Sequence, residues 1–248
     1  MLESNKETAS SIENRYYFKP IKDILEKKIK EIGKIKVLDH LTEVMRCAQP
    51  HVEELIQKRK YDGDITNVDQ TRKNIAGNAF QCLVVYSLIG LQEKGELNTD
   101  LVITLKPKNH YLIEKYATIK VGDDIQKPDI DMLIYEYTES EKKPVMIYSI
   151  KTSLRERAGQ TYRWKLLMDI ATSDNCKTIK EKYSLSYDAS GDFKVGFITT
   201  NFYNEIMNPQ NQGMLRFFDF AYITKDGNWK KPISSFSEIV NDLNSIYK

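Results

Sequence analysis

The sequence predicts an α/β fold: a mixed central β-sheet flanked by helices, with a helical N-terminal region. Three observations predict it. Up to Gly95 the apolar residues recur at helical spacing. After residue 98, short runs rich in β-branched and aromatic residues take over. A further helical stretch, 153–172, lies among those runs, and another closes the chain.

Each element has its own warrant. Residues 1 to about 15 are polar and are expected to fray. Ile21, Ile24, Leu25, Ile29 and Ile32 lie on one face of a helix from Pro20 to Ile32, and Gly33 stops it. A second helix is predicted from about Asp39 to Ala48. Pro50 then opens a third, running to about Lys60. Tyr61-Asp62-Gly63-Asp64 reads as a turn. Asp69 is placed to cap a long helix ending near Gly95, with Ala79, Phe80, Leu83, Val84, Leu88 and Ile89 inward. Strands are predicted at 101–105, about 116–121, 131–137, 145–151, 194–200 and 217–223. The helix over 153–172 has Leu154, Trp164, Leu167 and Met168 as apolar members, and 233–247 forms the last helix. The expected organisation is a helical N-terminal region, 1–66, and an α/β core, 67–248, within one compact domain. The long helix packs on the sheet and belongs to both parts.

Composition narrows the function. The chain has 248 residues, 41% hydrophobic and 29% charged, which is ordinary for a globular protein. A formal net charge of +2 excludes a generic polyanion binder, so affinity for nucleic acid must come from a local patch. No apolar run is read as a membrane span and no signal peptide is seen, so a cytoplasmic protein with no membrane partner is expected. Cys47, Cys82 and Cys176 are scattered and odd in number, which fits a reducing compartment better than a disulfide framework. His40, His51 and His110 are isolated, so no zinc cluster is expected.

The chemistry concentrates in Lys127-Pro128-Asp129-Ile130-Asp131 and in Ser149-Ile150-Lys151. Asp131 opens the apolar run Met132-Leu133-Ile134-Tyr135, and Lys151 closes the run Val145-Met146-Ile147-Tyr148. The polar segment 138–143 between the two runs has the length of a hairpin turn. Pairing these strands brings carboxylate and ammonium together beside apolar walls. Such a pair suits metal-assisted hydrolysis: the carboxylate holds a divalent ion and the lysine orients the attacking water. Arg155-Glu156-Arg157 follows at once, which points to phosphodiester cleavage. Taken singly, an Asp at a strand start is most often a turn or cap residue, and a Lys at a strand end is most often a solvated edge charge. The ordered conjunction is what carries the reading. Lys106, Lys108, His110 and Lys120 could touch phosphates, but a solvated face is the favoured reading for them. Trp164 and Phe217-Phe218-Asp219-Phe220 read as core rather than as base-stacking platforms.

These motifs resemble the PD-(D/E)xK nuclease superfamily, which contains most type II restriction endonucleases. One position departs from the family pattern: Ser149 stands where the second acid belongs. The subgroup that cuts CCGG-containing sites carries a similar Ser-x-Lys and recruits an acid from the next helix. It also follows its lysine with a base-reading cluster, which Arg155-Glu156-Arg157 resembles. Upstream, Gly77-Asn78-Ala79-Phe80-Gln81 is similar to a Gly-x-x-Phe-Glu helix motif, with Gln81 in place of the acid. The resemblance implies a restriction-endonuclease-like core with Asp131, Lys151, Asp129, Ser149 and Gln81 in the catalytic site, and with Mg²⁺ on Asp131 and Asp129. It implies double-stranded DNA as partner, read by Arg155, Glu156, Arg157, Gln160, Arg163 and Lys165, and a homodimer or tetramer. Arg suits guanine and Glu suits cytosine, so the recognition site should contain G·C pairs. Glu156 and Asp169 are the acids that the following stretch offers. The alternatives are another nuclease of the superfamily, structure-specific or for repair, and a catalytically degenerate nucleic-acid-binding protein.

Overall fold

The structure is a computed structural model. It describes all residues except 108–109, 139–142, 155–156, 188–191, 201 and 203–204, and the side chains of 157–158. The expected mixed α/β architecture is present. The helices α1 (Glu3–Glu13), α2 (Phe18–Ile32), α3 (Leu41–Tyr61) and α4 (Val68–Gln92) come first. Then follow β1 (Leu101–Leu105), α5 (Tyr111–Tyr116), β2 (Ile119–Val121), β3 (Asp124–Gln126), β4 (Met132–Glu136), β5 (Val145–Lys151) and α6 (Arg157–Thr172). The chain continues through α7 (Lys177–Tyr183), β6 (Leu185–Ser186), β7 (Phe193–Thr199), α8 (Pro209–Leu215), β8 (Phe220–Ile223), β9 (Ser234–Ser235) and α9 (Ile239–Ile246).

The main sheet has the order β1-β4-β5-β7-β8-β9. Its first three strands are antiparallel and β5 through β9 are parallel, so β5 is the strand where the two patterns meet. A small sheet, β3-β2-β6, stands apart.

Side-chain alternation sends successive residues of each strand to opposite faces. Met132, Ile134, Met146, Tyr148, Ile150 and Ile198 join a core built with α1–α4 and α9. Leu133, Val145, Ile147, Val195 and Phe197 join a second core with α5 and α6, through Leu154, Trp164 and Met168. Trp164 and Phe218 are therefore core residues, as the sequence suggests.

Several local expectations change. The first residues form α1 instead of fraying, because Ile12 is fully buried and Asn5 supports the sheet edge. The Asn5 amide donates to Leu101 O (2.8 Å) and to Gln92 Oε1 (2.7 Å), and its carbonyl accepts from Ile103 N (2.9 Å). An otherwise open strand edge is thereby covered. The two helices predicted around Pro50 are one helix, α3, with Pro50 inside it; Leu41, Val44, Ala48 and Ile56 pack it down along both halves. Asn67, not Asp69, caps α4, its side-chain oxygen accepting from Gln70 N at 3.0 Å. The predicted strand 116–121 is divided between α5 and β2, and β8 begins at Phe220. Helices α5, α7 and α8 and the strands β3, β6 and β9 were not anticipated. Finally, α4 is long and apolar enough to match a membrane span by length and composition, contrary to the sequence reading, but most of its apolar stretch is buried inside the protein.

Candidate active site

The site forms where β4 begins and β5 ends. Antiparallel pairing sets Met132 opposite Tyr148, and the Asp131 amide continues the ladder by donating to Tyr148 O at 3.0 Å. This register brings both aspartates to the end of β5. Lys151 Nζ donates to Asp129 Oδ2 and to Asp131 Oδ2, each at 2.8 Å. Lys151 and Asp131 are buried, with side chains 6% exposed, whereas the Asp129 side chain is 46% exposed. One carboxylate is thus built into the protein and the other borders solvent.

Asp131 is held from every side. Its Oδ2 also accepts from Ile150 N at 2.7 Å, and its Oδ1 accepts from Gln81 Nε2 at 2.6 Å. Its backbone carbonyl accepts from Lys106 N at 2.8 Å. Lys106 stands at φ 53°, a left-handed conformation that costs a non-glycine residue about 1–3 kcal/mol and recurs at functional sites. Its ammonium reaches Asn78 Oδ1 on α4. Burial pushes the Asp131 carboxyl above its ordinary value, outweighing the opposing pull of the Lys151 ammonium and the Ile150 amide.

The structure therefore brings together Asp129, Asp131, Lys151 and Gln81. Ser149 shares their strand, fully buried, but its hydroxyl engages α6: Thr161 Oγ1 donates to Ser149 Oγ at 3.0 Å. Asp169 does not join them. It is exposed and pairs with Lys165 one turn away on the same helix. Gln160 and Arg163 are exposed on α6. Arg155 and Glu156 lie outside the described residues, as does the side chain of Arg157. His110 caps α5 and meets the Tyr135 hydroxyl (3.1 Å), a structural role. Lys108 lies outside the described residues.

Sequence reasoning missed Thr161 and Glu205. Glu205 Oε2 accepts from Leu154 N (2.9 Å) and Ser153 Oγ (3.1 Å), pinning the chain just beyond Lys151. No spacing rule links residues so far apart. Thr161, however, lies on the buried stripe of α6 with Trp164 and Met168, and a polar residue on such a stripe is a signal.

The site fits a hard divalent cation. Asp129 and Asp131 supply carboxylate oxygens, the donors that Mg²⁺ prefers. Gln81 Oε1 is buried beside them with no hydrogen-bond partner among the described residues, an oxygen available for a ligand or for its bound water. Among the described residues no group of three or more His, Cys, Asp or Glu converges, so at least part of a coordination shell would come from water or substrate.

A mixed sheet with a buried carboxylate–lysine pair at the junction of its antiparallel and parallel halves defines an α/β protein with a charged site at one end of its central strand. The family model "BsaWI restriction endonuclease type 2" matches residues 109–247, more than half of the chain, and the chain belongs to that family. It is also similar to a Methanocaldococcus jannaschii protein named "Putative type II restriction enzyme MjaVIP", with 26% identity over 145 residues. That match covers 54% of this chain and 64% of the relative, so the chain spans less than two thirds of the relative's length.

Proposed function

We propose that the chain is a type II restriction endonuclease that hydrolyses phosphodiester bonds in double-stranded DNA, with Mg²⁺ as cofactor. The observation that carries this reading is the convergence of Asp129 and Asp131 on Lys151, within a chain of the BsaWI family. The relative's name gives the same reading independent support.

Asp131 and Asp129 would hold the ion, which supplies charge stabilisation at phosphorus and acidifies its bound water. The residues themselves do the rest. Asp131, fixed by Ile150 N and Gln81, provides a rigid carboxylate. Asp129, half in solvent, can adjust to the incoming phosphate. Lys151 donates hydrogen bonds at the place where water must be oriented for in-line attack. Arg155, Glu156 and Arg157, with Gln160 and Arg163 on the exposed face of α6, are the proposed base and backbone contacts. The similarity to CCGG-cutting enzymes makes a G·C-containing site the expectation. Cutting both strands of a symmetric site calls for two active sites, hence a homodimer or tetramer.

The second reading, a degenerate DNA-binding protein, is favoured by one observation: Ser149 faces Thr161, so this helix position brings a hydroxyl and not an acid to the strand. Incubating supercoiled plasmid with the protein, with and without Mg²⁺, separates the readings. Discrete metal-dependent bands support restriction, and random nicking supports a nuclease of another kind. Binding without cleavage supports the degenerate reading.

A further inference from the structure

Thr199 ends β7 and is paired in parallel register with Lys151, so the two residues are direct neighbours on adjacent strands. Alternation puts their side chains on the same face of the sheet, the face where Val195 and Phe197 pack beneath α6. Thr199 is 1% exposed, and its hydroxyl has no hydrogen-bond partner among the described residues, while its carbonyl accepts from Thr224 N at 2.9 Å. The surroundings explain a valine there better than a threonine. Val195 and Phe197 on the same strand and Ile223 across from it are all apolar and buried. Valine has nearly the same shape and needs no partner, while an unsatisfied buried hydroxyl is destabilising.

Lys151 supplies the complementary half. Its ammonium stands between Asp129 Oδ2 and Asp131 Oδ2, the same two carboxylates that a divalent cation would need. Two cations cannot share those oxygens at contact distance without strong repulsion. The aspartates flank Lys151 on the β4 side, and Thr199 flanks it on the β7 side.

We propose that Thr199 is a positioning residue for Lys151: its hydroxyl receives the ammonium when a divalent cation takes the carboxylates of Asp129 and Asp131. In the metal-free chain Lys151 neutralises the two aspartates and keeps the site folded. On metal entry it moves toward Thr199, close enough to orient water but off the carboxylates. The inference rests on the reading of these aspartates as metal ligands.

The test is Mn²⁺ binding to the full chain without DNA, followed by calorimetry, for the wild type, Lys151→Met, Thr199→Val and the double variant, with Asp131→Asn as control. Lys151→Met should bind Mn²⁺ at least about tenfold more tightly, because the competing cation is gone. Thr199→Val should bind it about tenfold more weakly, because the displaced ammonium loses its acceptor. In the Lys151→Met background the same Thr199→Val change should have no effect. Thr199→Val should also raise the melting temperature of the metal-free protein, and Thr199→Ser should keep wild-type affinity. Equal effects of Thr199→Val in both backgrounds, or no effect in the wild type, would overturn the proposal. If Lys151→Met does not fold, equal Mn²⁺ affinities for Thr199→Val and Thr199→Ser overturn it instead. Unchanged binding in Asp131→Asn would instead overturn the metal-site reading on which it rests.

Discussion

The two faces of the main sheet share strands but differ in chemistry. On the side of α1–α4, Met132, Ile134, Met146, Tyr148 and Ile150 feed a continuous apolar core that reaches α9. On the side of α6 the same strands begin apolar, with Leu133, Ile147 and Phe197, and then turn polar at their ends with Asp131, Ser149, Lys151 and Thr199. Lys151 is the one lysine among the described buried residues. Apolar burial stabilises wherever it occurs, whereas a buried ammonium is tolerated only when paired. The first face is therefore built for stability. The second gives up apolar burial at one end of β5 to place charge there.

Breaking the second face should have the largest effect on function. Asp131→Ala and Lys151→Ala are each expected to lower the plasmid cleavage rate by on the order of a thousandfold or more while the folded state persists. Circular dichroism beside the cleavage assay checks this, and near-wild-type cleavage by either variant would remove the assigned site. Breaking the first face should do the reverse. Phe18 is fully buried and meets the Tyr86 ring edge-on at 5.3 Å. Phe18→Ala should cost about 3–5 kcal/mol of unfolding free energy in urea, with the activity of the folded fraction unchanged.

Smaller effects sharpen the contrast within the polar face. Arg155→Ala or Arg157→Ala should lose about 1–3 kcal/mol of discrimination between cognate and scrambled duplexes. Binding across a salt series separates this from a phosphate contact, which would weaken both duplexes alike. Asp129→Asn should impair cleavage less than Asp131→Asn, because Asp129 is half in solvent and Asp131 is fixed by three neighbours. The reverse order would make Asp129 the principal ligand. On the acid side, cleavage should fade at a pH above the ordinary aspartate value of about 3.9, since burial raises Asp131 and a protonated carboxyl cannot hold a cation. A pH–rate profile with its acid limb at or below that value would contradict this.

The sequence made the strands and the pair legible because both are written locally. Asp131 and Lys151 stand at the boundary of apolar runs with period-two alternation, and a short polar turn between antiparallel strands leaves few registers. Gln81 was legible through its neighbours Gly77 and Phe80. What could not be read depends on packing between distant segments. Asn5 is polar in a polar stretch, and only the edge of β1 shows why it is buried and why α1 forms. Pro50 argued for two helices, and tertiary packing along Leu41, Val44 and Ile56 overrode it. Thr161 and Glu205 reach the site through α6 and the turn beyond β7, contacts that no motif encodes.

Digestion of a DNA of known sequence in the presence of Mg²⁺, with the fragment ends mapped by sequencing, tests this account most directly. The account predicts that all ends fall at one symmetric sequence containing G·C pairs. It also predicts that cutting stops when Mg²⁺ is chelated, and that Asp131→Ala produces no ends at all. Ends scattered without a shared sequence, cutting that survives in Asp131→Ala, or binding without any cleavage would contradict it.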